Sequence, residues 1–270
     1  LPRFWELKDF VDPPKGPGDV PDLVSESLRR ELEAAKSRRM TPRRKIDPLD
    51  CKKLIDWVSS EKGPRLLILN TVQSTAIVAD RMRKAGHDVL HLSTALAPIH
   101  RGRIMERVKE RQKYGHNDWT LVATSCVEAG MDFSFRIGFR ESCSTASLIQ
   151  VGGRVSRGAE HPEAVVWDFR VLDSLLTQHP GFTVPRRVLD GLFDDASIES
   201  RSPSDLAKEA MRREVTAKDE ERAQQISKEE DGMEYPDVAR LCRVIQSDTR
   251  TIVIDPTLID ALRARQRVSH

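Results

Sequence analysis

Gln150, Gly153, Arg154 and Arg157 stand at i, i+3, i+4 and i+7 in the octet Gln150-Val151-Gly152-Gly153-Arg154-Val155-Ser156-Arg157. On a continuous helix those four positions share one face. The octet holds two guanidiniums and no carboxylate to neutralise them, and arginine's planar fork of donors suits it to gripping a polyphosphate. Each glycine inside a helix costs about 1 kcal/mol relative to alanine. Gly152 and Gly153 are therefore expected to permit close backbone approach to a strand or a phosphate. The plainer reading of such a pair of arginines is a solvated helix face, so the neighbouring segments have to decide.

Three further segments carry hydroxyls, an arginine or a carboxylate where apolar runs end. Leu69-Asn70-Thr71 follows one run, and Asn70 and Thr71 can either cap the next helix or touch a phosphate. Leu92-Ser93-Thr94, with Pro98, His100 and Arg101 after it, follows a second. Thr124-Ser125-Cys126-Val127-Glu128-Ala129-Gly130-Met131-Asp132 follows a third. In an open parallel sheet, ligands sit at the carboxyl ends of strands, so all three segments fall where a phosphate backbone or a nucleotide could be met.

The elements that must hold these segments read as alternating strands and helices. Strands are expected at 66–69, 89–92, 120–124, 137–139 and 164–169, and helices at 72–85, at 98–113 and around Gln150. Such alternation argues for βαβ units and a parallel sheet covered on both faces. Before it, 11–21 is rich in Pro and Gly, and 22–45 reads as a helix up to Thr41-Pro42 with a dense basic stripe between Arg29 and Lys45. That stripe fits a solvated helix face more readily than a phosphate track. After about 178 the alternation stops, leaving charged helical stretches at 203–230 and 237–246, a strand at 251–254 and a last helix after Pro256. The expected division is a linker and helical lead-in at 1–60, the α/β domain at 61–178, and a helical linker with a partial accessory element at 179–270.

Composition narrows the partners. Hydrophobic residues make up 39%, charged residues 32% and aromatic residues 5% of the 270 positions, with a net charge of +2. Contacts to nucleic acid must then come from local patches rather than from the global field. No apolar run approaches the roughly 20 residues that span a bilayer, and the expected setting is the cytoplasm with no membrane partner. Cys51, Cys126, Cys143 and Cys242 lack paired spacing, which indicates neither a zinc site nor a disulfide framework. Leu1 in place of an initiator methionine suggests that the chain is part of something longer.

Taken in order, these pieces resemble the second RecA-like domain of superfamily 2 helicases, whose sixth motif is Q-x-x-G-R-x-x-R. Thr124 to Asp132 is similar to the fifth motif, Leu66 to Thr71 to the fourth, and Ser93 to Arg101 to the motif between them. More narrowly, Leu92-Ser93-Thr94 with Pro98, His100 and Arg101, then Thr124-Ser125 and Val127 through Phe133, looks like the helicase-nuclease of type I CRISPR systems. The tail from Val238-Ala239-Arg240 to Ile252-Val253-Ile254 is similar to the segment after the helicase core in some of those proteins. Val151 departs from the pattern, since many superfamily members carry another arginine or a small residue there.

The resemblance implies an α/β fold, a RecA-like parallel sheet with helices on both faces, followed by a mostly helical C-terminal extension. It implies Arg157 as the arginine finger at the γ-phosphate, Arg154 as its neighbour in that role or as a brace between motifs, and Gln150 as a polar partner at the cleft. Gly130, Asp132 and Gly153 would lie on the nucleotide side, with Asp132 positioning the arginines. Thr71, Ser93, Thr94, Arg101, Thr124 and Ser125 would face a single-stranded DNA backbone. No Gly-Lys dipeptide occurs, and the only Asp-Glu dipeptide, Asp219-Glu220, lies in a charged helical stretch, so a phosphate loop is missing.

ATP and Mg²⁺ are accordingly expected only in a full-length enzyme with a first RecA-like domain, and none on this chain alone. The implied partners are single-stranded DNA, that first domain, a His-Asp nuclease domain and a CRISPR RNA-guided effector complex. His87-Asp88 reads as a turn before a strand rather than a metal site. A DEAD-box-like RNA helicase domain and a catalytically idle RecA-like protein-binding module remain as alternatives.

Overall fold

The computed structural model describes residues 25, 27–28, 30–31, 41–128, 132–155, 161, 164–176, 180–217, 220–242, 259–260 and 263–264. Six strands form one sheet in the order β1-β6-β5-β2-β4-β3. They are β1 (Thr41–Arg44), β2 (Arg65–Ile68), β3 (Val89–Leu92), β4 (Thr120–Ala123), β5 (Ile137–Glu141) and β6 (Val165–Phe169). Every pairing is parallel, with Leu66 opposite both Leu121 and Gly138, and Arg140 opposite Asp168.

Alternate residues of each strand enter opposite cores, so the central strands are apolar runs rather than alternating ones. Leu66, Ile68, Leu90, Leu92, Leu121 and Ala123 face one layer. Leu67, Leu69, Val89 and Val122 face the other. The first layer is roofed by α3 (Pro98–Lys113) and α4 (Thr145–Gly152), the second by α1 (Cys51–Ser60) and α2 (Val72–Lys84). Burying one such Leu or Val side chain contributes roughly 1.5–3 kcal/mol, and the double coverage buries every residue of β2, β4 and β5.

The helices begin where the sequence offers caps. The Asp50, Thr71 and Ser144 side chains accept from the amides of Lys53, Ser74 and Ser147, opening α1, α2 and α4. α3 has no side-chain cap and opens on Pro98, whose missing N–H is no loss in a first turn.

The expected boundary at residue 61 does not mark an edge of the fold. β1 completes the sheet beside β6, and Cys51, Leu54, Ile55 and Val58 of α1 lie in the second core. Arg44, part of the basic stripe, pairs with Asp194 at 2.5 Å and with Asp190, and Arg43 lies over the Trp167 ring. Most of the rest of that stripe lies outside the described residues.

Nor does the core stop near residue 178. Val188, Leu189 and Leu192 of α5 (Thr183–Asp194), Ile198 of α6 (Ser197–Ser200), and Leu206 and Ala210 of α7 (Pro203–Thr216) share the first core with Leu148 and Val151 of α4. Short connections and apolar faces fold these helices back over α4. α8 (Glu220–Asp231) and α9 (Tyr235–Leu241) follow, and none of the buried core residues belongs to them. The strand expected at 251–254 lies outside the described residues, as does most of the helix expected after Pro256. Among the described residues no helix is long and apolar enough to cross a membrane.

Candidate functional site

Thr71 stands three residues past the carboxyl end of β2, and Ser93 and Thr124 stand one residue past those of β3 and β4, which lie beside it in the order β2-β4-β3. Thr71 is spent on its own helix: its hydroxyl accepts from the Ser74 amide at 3.1 Å and donates to the Ser74 hydroxyl at 2.8 Å. Ser93 and Thr124 differ. Both are buried, and neither hydroxyl has a hydrogen-bond partner. A buried hydroxyl left unsatisfied costs about 1–3 kcal/mol, and two of them stand here at adjoining strand ends.

Thr94 and Ser125, the next residues along, are exposed, and Arg101 is half-buried in the first turn of α3. The sheet therefore brings Ser93, Thr94, Thr124 and Ser125 together. Beside edge strand β3 lies a cavity of about 560 Å³ whose lining includes Arg83, His91, His100, Arg103 and Arg107 along with Glu106 and Glu110. Burial, with the Arg83 charge adding to it, pulls the His91 imidazole below its ordinary value. Asp88, in the turn before β3, pairs with Arg111 at 2.7 Å.

The octet is not one helix. α4 ends at Gly152, Gly153 caps it, and Arg154 lies in a turn whose amide donates to Val151 O at 2.8 Å. Two adjacent glycines weaken the helix, and Val155 is drawn instead into a parallel bridge with Phe135. Gln150 is exposed on the last turn, Gly153 is exposed, and no helical face joins Gln150, Gly153 and Arg154 because the chain leaves the helical path before Arg154. Arg157 and Gly130 lie outside the described residues, and Asp132 is exposed.

The close approach belongs to another glycine. A Cβ on Gly138 of β5 would stand 2.9 Å from Val155 Cγ2 and 3.1 Å from Val151 Cγ1, so α4 and the turn after it pack onto β5 only because that side chain is missing.

Nor does Arg154 sit at the carboxyl edge. The Phe135 amide, two residues before β5, donates to Arg154 O at 2.9 Å. α4 thus carries the chain from the carboxyl end of β5 back to the amino end, about 12 Å for its eight residues. The half-buried Arg154 guanidinium donates to Glu128 O at 3.0 Å, which ties it to the loop that begins at Thr124.

Glu128 leads to a cluster for which the sequence reading had no role. Its carboxylate oxygen lies 2.8 Å from Arg140 Nε and accepts from Ser147 Oγ at 2.5 Å. Arg140, only 2% exposed, also donates to Asn70 Oδ1 at 2.7 Å and Glu141 O at 2.9 Å. Asn70 in turn donates its amide to Glu141 Oε2 at 2.7 Å and its side-chain N–H to Ser142 O at 3.1 Å. Burial raises the Glu141 carboxyl above its ordinary value against the Asn70 amide, Arg140 and Arg186. The signal was present: Arg140-Glu141 is a charged pair ending a strand whose other residues are apolar or glycine. A buried charge of this kind must be paired.

Residues 61–160 match the family model described as CRISPR-associated nuclease/helicase Cas3, C-terminal. This stretch is Cas3-like. The match takes in the strand-end segments and the octet singled out from the sequence, from Leu66 to Arg157, and not the basic stripe or the tail from Val238 to Ile254. The Cas3-like stretch forms the centre of a RecA-like α/β fold, and residues 41–60 and 164–217 complete the same fold beyond it.

Among solved structures, T. fusca Cas3 with AMPPNP is 17% identical, covering 59% of this chain and 22% of that one, with a TM-score of 0.47. The C-terminal domain of the DEAD-box protein Dbp5 is 14% identical over 49% of this chain and 78% of that one, with a TM-score of 0.41. S. cerevisiae Dbp5 bound to RNA and ADP BeF3 is 12% identical over 55% of this chain and 44% of that one, with a TM-score of 0.40. The chain thus spans less than a quarter of the Cas3 chain it matches. No curated protein matches it.

Proposed function

We propose that this chain is the C-terminal half of an ATP-dependent motor that moves along single-stranded DNA, of the kind used in type I CRISPR interference. The observation that carries the proposal is the placing of Ser93 and Thr124 just past adjoining strand ends inside the Cas3-like stretch, each followed by a further hydroxyl residue. Beside them Thr94 and Ser125 are exposed, and a basic-lined cavity flanks β3. Hydroxyls that donate to phosphate oxygens hold a strand without reading its sequence, so binding is expected to be sequence-independent and weakened by salt.

The residues fit one wall of a nucleotide site only. The chain has no Gly-Lys dipeptide and hence no phosphate loop, so ATP and Mg²⁺ would be held mainly by a first RecA-like domain across a cleft. ATP, when bound, supplies the γ-phosphoryl group whose transfer to water releases the closed state. Arg157 would offer its guanidinium to the charge that develops there, and Arg154 braces the loop leading to Gly130 and Asp132 through Glu128 O. Domain closure and reopening would advance the strand along the hydroxyl edge. A His-Asp nuclease and a CRISPR RNA-guided effector complex are the partners this role calls for, and the cytoplasm is the compartment.

The test uses the enzyme with both helicase halves. Arginine fingers contribute factors on the order of 10³–10⁵ in phosphoryl transfer elsewhere, so Arg157→Ala should abolish DNA-stimulated ATP hydrolysis with little change in melting temperature. Stimulation by single-stranded RNA alone would replace this reading with an RNA helicase. Full ATPase activity in the Arg157→Ala enzyme would leave a protein-binding module.

A further inference from the structure

Arg140 occupies a place no substrate can reach, and it bonds to both sides of the site. On one side is Asn70, at the end of β2 and directly before the Thr71 cap of α2, held at 2.7 Å through its side-chain oxygen. On the other is Glu128, 2.8 Å away in the loop that starts at Thr124. The Ser147 hydroxyl, on the first turn of α4, accepts from Arg140 Nε at 2.7 Å and donates to the same Glu128 oxygen at 2.5 Å. Glu128 O then accepts from Arg154 past the far end of α4.

From these contacts we infer that Arg140 is a positioning residue that anchors Glu128, and with it the loop from Thr124, to the Asn70 segment, and so couples nucleic-acid contact at Thr124 and Ser125 to Arg154, which Glu128 O holds. This rests on the motor reading given above. Several features support a coupling role over simple anchoring. The guanidinium uses separate nitrogens for the two sides, Nε toward Ser147 and Glu128 and one terminal nitrogen toward Asn70 and Glu141 O. A planar fork rigidly fixes the angle between those directions, so a shift of the Asn70 segment is passed to Glu128 as a rotation of one rigid group. Within this network the two loops are joined through Arg140, whereas β2 and β4 are otherwise joined by their ladder.

The distinguishing experiment titrates single-stranded DNA into the enzyme with both helicase halves and reads the plateau ATPase rate and the half-saturating DNA concentration separately. Arg140→Lys keeps a cation near Glu128 and cannot span to Ser147, Asn70 and Glu141 together. Its plateau should fall by about tenfold, within the usual range of coupling between sites. Its half-saturating DNA concentration should stay within about twofold, because a coupling loss removes no binding contact.

Asn70→Ala, which leaves the Arg140–Ser147–Glu128 cluster whole, should lower the plateau in the same way and decides the matter if Arg140→Lys does not fold. A plateau that is kept, or one that falls only in step with weakened DNA binding or a lowered melting temperature, overturns the coupling. A parent enzyme with no DNA-stimulated hydrolysis at all overturns the motor reading itself.

Discussion

Two halves of one sheet edge are built on opposite terms. At the ends of β2 and β5, Asn70, Arg140, Glu141 and Ser147, joined by Glu128 from the loop after β4, meet one another's hydrogen-bonding needs inside the protein. At the ends of β3 and β4, Ser93 and Thr124 are as deeply buried, and their hydroxyls find no partner. The first half closes on itself and gives the loops a fixed geometry. The second leaves two hydroxyls unsatisfied. A buried charge demands satisfaction at several kcal/mol, whereas an orphan hydroxyl costs little enough to be tolerated for function.

The contrast breaks most sharply at Glu128. Glu128→Ala leaves the buried Arg140 charge uncompensated and should destabilise the fold by about 3–5 kcal/mol, measured by urea unfolding.

A smaller but still large effect is expected at Asp168 of β6, beside Arg140 in the sheet. Burial pushes its carboxyl up from 3.8 to about 7, with the Asp190 charge adding to this and the Ser142 hydroxyl, Arg170 and Arg140 opposing it. The folded protein therefore keeps this proton over a range in which the unfolded chain releases it. Stability from this group is full below its unfolded value of 3.8 and is lost as pH rises toward about 7. The raised Glu141 carboxyl acts with the same sign. Asp168→Asn should flatten the fall in melting temperature between pH 5 and pH 7.5, on the order of a few kcal/mol in all. An unchanged slope would place the proton elsewhere.

Capping of α2 gives a milder test. Thr71→Ala removes the acceptor for the Ser74 amide and should cost about 1 kcal/mol. DNA affinity should hardly move, because that hydroxyl is already engaged with Ser74.

The orphan half sharpens the contrast by an inverted result. Thr124→Val and Ser93→Ala should leave stability unchanged or raise it by up to about 1 kcal/mol, since an unsatisfied hydroxyl is removed. Each should also weaken binding of a labelled single-stranded oligonucleotide by about fivefold, the worth of roughly one hydrogen bond. Loss of stability without loss of binding would make these hydroxyls structural.

Much of the fold was legible in advance because its strands are apolar runs separated by helix-length segments. The starts of β3, α3 and β4 coincide with the expected 89, 98 and 120. β1 and α1 were not legible. β1 is four residues long and carries Pro42, Arg43 and Arg44, a composition that gives no strand signal until β6 is there to pair with it. The octet misled for a physical reason: helical spacing says which residues would share a face if the helix continued, and the two glycines and the Phe135–Val155 bridge stop it. The Arg140 cluster was hidden because, apart from the adjacent Arg140 and Glu141, its bonded members are 7 to 71 positions apart, from Arg140–Ser147 to Asn70–Glu141.

Local order and short-range chemistry were set by the sequence alone: the alternation of strands and helices, the caps at Thr71 and Ser144, the hydroxyls placed just past strand ends, and the lack of a phosphate loop. Each depends on residues within a few positions of one another, where backbone geometry leaves few choices. Tertiary structure decided which of those hydroxyls would be used up, where Arg154 would lie, and that Arg140 would stand between two loops. Those outcomes depend on which strands become neighbours, and a parallel sheet pairs its strands only through crossovers that bring distant segments together.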